Sequence, residues 1–194
     1  FERMYLNDKT FEPAKNHEFL PKIYMAIKMV NPKFKGFIIQ TTATDFLKLN
    51  DAVLSCVRYV ELGIESFNDN ILKAMNKPHR ITNIEYATTR MYALNERGFD
   101  IKLIPNILVS LPGETKKTYQ NTLRFLNDVK QITSHINIYS LALYDNTKLS
   151  AEIEHNESDK KENSRNKSWS NEKTDKWFYE EVLKFALKGV KNAN

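Results

Sequence analysis

Apolar and polar positions along the chain fall into two alternating rhythms. Five short apolar runs, "RMYLND", "GFIIQTT", "VRYVELGIES", "IKLIPNILVSL" and "INIYSLALY", read as strands. Between them, apolar residues return every three or four positions, the spacing of a helix with one buried face. In "NHEFLPKIYMAIKMV" the predicted face is Phe19, Ile23, Ala26, Ile27 and Val30, and Pro32 and Gly36 end the segment. "ATDFLKLNDAVLSC" reads as a second helix, and Asp69 to Met75 as a short third that Pro78 closes. "TNIEYATTRMYALNERG" puts Ile84, Ala87, Met91 and Leu94 on one face and stops at Gly98, a suitable C-terminal cap. "GETKKTYQNTLRFLNDVKQ" is amphipathic through Tyr119, Thr122, Leu123 and Leu126, and Pro105 predicts a bend or bulge in the strand before it.

Strand and helix therefore alternate about every 25–35 residues, which predicts βαβ units and a parallel sheet. The near-continuous apolar strands suit a sheet covered by helices. Two α/β architectures fit: a doubly wound open sheet, or a partial (β/α) barrel of about five units. Both bind ligands at the carboxyl ends of their strands. Residues 152–176 are polar and aperiodic, which reads as a mobile linker. Beyond it, Tyr179, Val182, Leu183, Ala186, Leu187 and Val190 form an amphipathic stripe that must dock, on the domain itself or on a partner helix. The predicted organisation is a barrel-like domain over 1–150, a linker over 151–176 and a docking helix over 177–194.

Composition narrows the function classes. A hydrophobic fraction of 41% with 11% aromatics describes a folded domain, and no apolar run approaches the length of a membrane helix. The single cysteine, Cys56, excludes an internal disulfide, argues for a reducing, cytoplasmic setting, and reads as a small buried hydrophobe. Net charge is +5, but residues 151–194 hold nine basic and nine acidic side chains. The excess is thus spread over residues 1–150, where a solvated surface outweighs a nucleic-acid stripe. The chain opens on Phe1 and enters a strand within a few residues, so an upstream segment is expected.

The strand ends carry the candidate chemistry: "NDKTF", "QTTAT", "GIESFND", "SLPGET" and "YDNTKL", the last with Asp145, Asn146 and Thr147. Each has a plain structural alternative. Asp8 suits a turn or helix cap, Gln40 and Thr42 are ordinary strand-end polar residues, and Glu65 with Ser66 precedes a helix that needs a cap. "LPGET" is a tight turn with an acid suited to a helix dipole. Lys77 and His79 follow a helix end and read as solvent-facing, and the other histidines lack metal-ligand spacing.

The ordered set "YLNDKTF", "ELGIESFNDNILKAMNK", "ILVSLPGETKKTYQNTLRFL" and "INIYSLALY" resembles the radical S-adenosylmethionine superfamily over residues 1–150. Within it the resemblance is to the cobalamin-associated and coproporphyrinogen-dehydrogenase-like branches. It implies that Asn7, Asp8 and Thr10 approach the cofactor's amino group, and that Gln40 or Thr42 lies near the methionine carboxylate or the substrate. It further implies Glu65 near the ribose hydroxyls or the methionine moiety, and Ile107 to Ser110, with Val109, along the adenine. The implied cofactors are S-adenosylmethionine, a [4Fe-4S] cluster and, in a longer protein, cobalamin. The implied activity is abstraction of a hydrogen from a small-molecule substrate by a 5′-deoxyadenosyl radical. This chain departs from the family in lacking the Cys-x3-Cys-x2-Cys cluster loop, which is expected upstream, and in Ser110 where the family has glycine. A piece of such an enzyme, inactive alone, is the main expectation. A cluster-free barrel serving as a binding module and an RNA-modifying branch member are the alternatives.

Overall fold

A computed structural model describes residues 1–6, 11, 17–141 and 172–190. Strands β1 (Arg3–Tyr5), β2 (Gly36–Thr42), β3 (Val57–Glu65), β4 (Lys102–Val109) and β5 (Asn137–Ser140) form one sheet in the order β1-β2-β3-β4-β5. Every neighbouring pair is parallel. The order decides between the two architectures. A doubly wound sheet reverses direction at a switch point, whereas each strand here adds to the same edge, as in a barrel. The result is a curled half-barrel with helices between its strands.

The helices are α1 (Phe19–Val30), α2 (Ala43–Lys48), α3 (Asp51–Leu54), α4 (Asp69–Ala74), α5 (Ile81–Glu96), α6 (Lys116–Asp128) and α7 (Glu172–Val190). Side-chain oxygens of Thr42, Asn50, Asn68 and Thr115 accept from the first-turn amides of α2, α3, α4 and α6, the capping that such residues favour. Asn50 thereby splits the predicted "ATDFLKLNDAVLSC" helix in two. On α5, Ile84, Ala87, Met91 and Leu94 are buried as expected, joined by Thr88, and Gly98 follows the helix with φ 88°. On α6 the buried residues are Tyr119, Thr122, Phe125 and Leu126, with Leu123 half-buried.

Three expectations change. On α1 the buried side is Leu20, with Tyr24 and Ile27 half-buried, while Phe19, Ile23 and Val30 are exposed. That helix is apolar nearly all round, so spacing alone cannot pick its inward face. On α7, which already begins at Glu172, the buried stripe among the described side chains is Asp175, Phe178 and Val182, with Tyr179 half-buried and Leu183 exposed, while the side chains of Ala186, Leu187 and Val190 lie outside the described ones. The stripe is turned because Phe178 stacks on Tyr119 of α6, ring centroids 4.4 Å apart. Finally, β4 pairs without interruption through Pro105, and the register shift lies on β3 between Gly63 and Glu65.

The sheet's two faces differ in kind. Phe37, Ile39, Val60, Leu62, Ile64, Leu103, Ile107 and Val109 are buried in one core under the helices. The other, inner face is set by register: Tyr5, Ile38, Tyr59 and Lys102; then Gln40, Glu61 and Ile104; then Thr42, Gly63, Asn106 and Asn137; then Leu108 and Tyr139. Only in β4 does the apolar run bury nearly every residue. In β3 burial alternates, because helices cover one face alone.

Candidate functional site

Parallel strands release all their carboxyl ends at one rim, so the mouth of the half-barrel gathers Thr42, Glu65, Ser66, Ser110 and Ser140. Below the rim, the inner face is a polar floor. The Tyr5 hydroxyl donates to Glu61 Oε2 at 3.1 Å and to Gln40 Oε1 at 3.3 Å. Asn137 Nδ2 donates to Asn106 Oδ1 at 3.0 Å, and the Arg3 guanidinium lies 4.9 Å from the centre of the Tyr59 ring. Burial and the Glu61 carboxylate push the Tyr5 phenol above its ordinary range.

Glu65 is the most distinctive group at the rim. It sits at the β3 register shift with φ 64°, a left-handed conformation that costs a residue of its kind about 1–2 kcal/mol. It does not cap the following helix, because Asn68 Oδ1 accepts from the amides of Asn70 (3.0 Å) and Ile71 (3.3 Å). Its Oε1 instead lies 2.8 Å from Lys77 Nζ, with the two side chains 15% and 29% exposed. A Cβ built on Gly63 would come 3.2 Å from the same oxygen, which places the carboxylate over the inner-face position that glycine leaves open. Lys77 is thus an ion-pair partner rather than a free surface cation. His79 is likewise not solvent-facing: it is 1% exposed and interacts with the Ile64 backbone, though without a hydrogen bond of ordinary geometry at either ring nitrogen. Burial, foremost, holds its imidazole below the ordinary value. The trace both left in the sequence is position, a lysine and a histidine 12 and 14 residues after Glu65 in "MNKPH".

The two phrases "GIES" and "LPGET" are physically joined. Ser66, 1% exposed, donates from Oγ to Glu114 Oε1 at 2.7 Å, and the Thr118 hydroxyl bonds the other carboxylate oxygen. Burial, foremost, raises the Glu114 carboxyl above its ordinary range. The Phe67 amide donates to Thr122 Oγ1 at 3.2 Å, and Phe67 stacks on Phe125 at 4.5 Å. Glu114 therefore ties the β3 exit to the start of α6, whose cap is Thr115.

The remaining predicted site residues divide. Gln40 is on the inner floor. Thr42 is occupied as the α2 cap, accepting from the Asp45 amide at 3.1 Å and donating to Asp45 Oδ2 at 2.9 Å. Val109 is buried under the helices, and only its backbone reaches the rim, where its carbonyl accepts from the Leu141 amide at 3.1 Å. Ser110 has φ 64°, and its hydroxyl donates to Asp175 Oδ2 at 2.9 Å. Asn7, Asp8, Thr10, Asp145, Asn146 and Thr147 lie outside the described residues. Among the described residues no group of three or more metal-ligating side chains converges, and no helix is long and apolar enough to cross a membrane. Cys56 is buried at the amino end of β3, opposite the mouth, and burial raises its thiol.

A parallel (β/α) half-barrel with its charged and strained residues at the strand exits is the class that fold and mouth define. No family model matches the chain. It is 32% identical over 109 residues to the tRNA-2-methylthio-N(6)-dimethylallyladenosine synthase of Ectopseudomonas mendocina, covering 53% of this chain and 24% of that protein. It is 33% identical over 86 residues to the same-named enzyme of Rickettsia typhi, covering 44% and 19%. The chain thus spans about a quarter or less of the length of these curated relatives. Among solved structures, an archaeal Elp3 from Methanocaldococcus infernus shares the fold with a TM-score of 0.57 at 17% identity, over 80% of this chain and 40% of its own. The radical SAM coproporphyrinogen III oxidase of Escherichia coli does so with a TM-score of 0.50 at 14% identity, over 73% and 32%. The chain is therefore similar in sequence, over about half its length, to tRNA-2-methylthio-N(6)-dimethylallyladenosine synthases, and it shares the fold of the two solved structures.

Proposed function

We propose that this chain forms the wall that positions S-adenosylmethionine in a radical enzyme acting on a nucleoside of RNA. The Glu65–Lys77 pair carries the reading. The methionyl end of the cofactor presents one ammonium and one carboxylate, and a partly buried acid–base pair can exchange partners with such a zwitterion while every charge stays paired. The open inner-face position at Gly63 suits the same end, since a side chain there would crowd Glu65. Glu65 would hold the amino group and Lys77 the carboxylate, while the backbone of Ile107 to Ser110 would flank the adenine. Gln40 would meet the methionyl end or the substrate, with Asn7, Asp8 and Thr10 assigned to the amino group by resemblance alone. Bound S-adenosylmethionine supplies the radical chemistry, and the chain's residues bind it, orient it and exclude water.

The residues present do not fit a [4Fe-4S] cluster, which needs several thiolates where this chain has one buried thiol away from the mouth. The chain alone is accordingly proposed to be inactive, the cluster loop belonging to other sequence of the intact protein, as would any cobalamin. Names of the sequence relatives tilt the substrate from a free small molecule toward a nucleoside of tRNA. The lone buried thiol supports a cytoplasmic setting.

Titration calorimetry with S-adenosylhomocysteine on the intact protein tests this. Glu65→Gln and Lys77→Met are each expected to weaken binding about tenfold or more, as for loss of one charge-assisted bond. Their melting temperatures should stay near that of the parent. Unchanged affinity with a loss of about 1 kcal/mol of stability would reduce the pair to a structural ion pair.

A further inference from the structure

Among the described residues, four that are not glycine have positive φ: Glu65, Asn76, Asp100 and Ser110. Asn and Asp tolerate that conformation, whereas Glu and Ser hold it only when their surroundings impose it. Both of the latter stand at strand exits on the mouth. For Ser110 the imposing group comes from the far end of the chain. Asp175, 8% exposed in the first turns of α7, accepts from Ser110 Oγ at 2.9 Å and from the Tyr119 hydroxyl at 2.6 Å. The Ser110 amide in turn donates to the Tyr119 oxygen at 3.2 Å, closing a ring of three hydrogen bonds.

We infer that Asp175 is a positioning residue for the cofactor: through Ser110 it fixes the backbone at the β4 exit in the form that receives the adenosine half of S-adenosylmethionine. The inference rests on the proposed function above. Docking α7 does not by itself require the carboxylate, since Phe178 and Val182 already bury apolar surface against the domain. Burying an acid is costly unless it is well bonded, and both hydroxyls spent on this one belong to the β4 exit or to the tyrosine beneath it. Burial and Asp175 hold the Tyr119 phenol far above its ordinary range, so it stays protonated and keeps donating.

Because glycine adopts φ 64° without support, it should replace the clasp. Titration of S-adenosylhomocysteine into the intact protein compares Asp175→Asn, the double variant Asp175→Asn with Ser110→Gly, and Ser110→Ala. Asp175→Asn and Ser110→Ala, which each break the ring and leave the conformation less supported, are expected to bind about tenfold more weakly. The double variant should recover most of the loss. Parent-like affinity in Asp175→Asn overturns the inference, as does a loss that Ser110→Gly fails to recover, because Asp175 would then serve only to dock the helix. Should Asp175→Asn not fold, Ser110→Ala against Ser110→Gly decides alone: equal affinities overturn the inference. Absence of binding in the parent protein is a separate result, one that sinks the proposed function and this inference with it.

Discussion

Replacing Glu114 by alanine would test whether the mouth is braced from within. The change strips Ser66 Oγ, fully buried, of its acceptor at 2.7 Å, and frees the Thr118 hydroxyl from the other oxygen. A hydrogen bond to a charged group contributes about 1.5–3 kcal/mol, and an orphaned buried hydroxyl costs about 1–3 kcal/mol. Relief from burying the carboxylate offsets part of this, so the expected loss is about 1.5–3 kcal/mol. Ser66→Ala should cost about 1–2 kcal/mol, and the double variant little more than Glu114→Ala, a coupling of at least about 1 kcal/mol. Equilibrium urea unfolding measures all three as shifts in midpoint at constant slope. The pH dependence has a definite sign. Burial raises the folded carboxyl above its ordinary 4.5, so the native protein holds this proton more tightly than the unfolded chain. Its contribution is full below 4.5 and declines as pH rises through the folded value, and the gap between parent and Glu114→Ala should widen toward acid. Additive losses, or a coupling below about 0.5 kcal/mol, would refute the brace.

His79 should give the opposite trend. Its folded pKa is lowered from 6.5, so the stability it permits is full above 6.5 and falls as pH drops through 6.5 toward the folded value. In Glu114→Ala protein, which lacks the competing carboxyl, His79→Leu should flatten the fall in melting temperature between about pH 7 and 5, and an unaltered slope counts against a buried neutral imidazole. At Gly36, φ is 141° and an added Cβ would lie 2.6 Å from the Cys56 carbonyl oxygen, so Gly36→Ala should cost about 3 kcal/mol or more by thermal melting. A shift within about 0.5 kcal/mol would show that β2 and the start of β3 can separate freely there.

What the sequence revealed depended on how local each determinant was. Strand positions were legible because apolar runs bounded by Gly, Pro and Asn punctuate themselves, and the α5 face was legible because its other positions are polar. Strand order was not, since it depends on how each crossover packs rather than on any one segment. The inward sides of α1 and of the start of α7 are not legible for different reasons: the first helix offers apolar residues nearly all round, and the second is turned by a tyrosine on another helix. The sequence leaves Glu65 open between cap and ligand; Asn68 takes the cap, and the Glu65 carboxylate pairs with Lys77. A turn after a helix is exposed by default, which predicts Lys77 and His79 outward, and only the bend that returns it to the β3 exit reverses that. The Asp175 clasp spans 65 residues and left no local pattern at all.

These long-range ties share a design. Glu65 is held by Lys77 from the turn beyond α4, Ser66 by Glu114 from the start of α6, the Phe67 amide by Thr122 within α6, and Ser110 by Asp175 from α7. Each joins a strand exit to a side chain anchored elsewhere, three of them on helices or immediately beside one. A rim fixed this way takes its shape partly from the helix-borne Thr122 and Asp175 and partly from the loop residues Lys77 and Glu114, so the loops that carry those two are constrained in length. The left-handed residues then have a common explanation. Turning the backbone at the end of β3 and of β4 accompanies the pairing of Glu65 with Lys77 and of Ser110 with Asp175, and that partner supplies the support that glycine would not need.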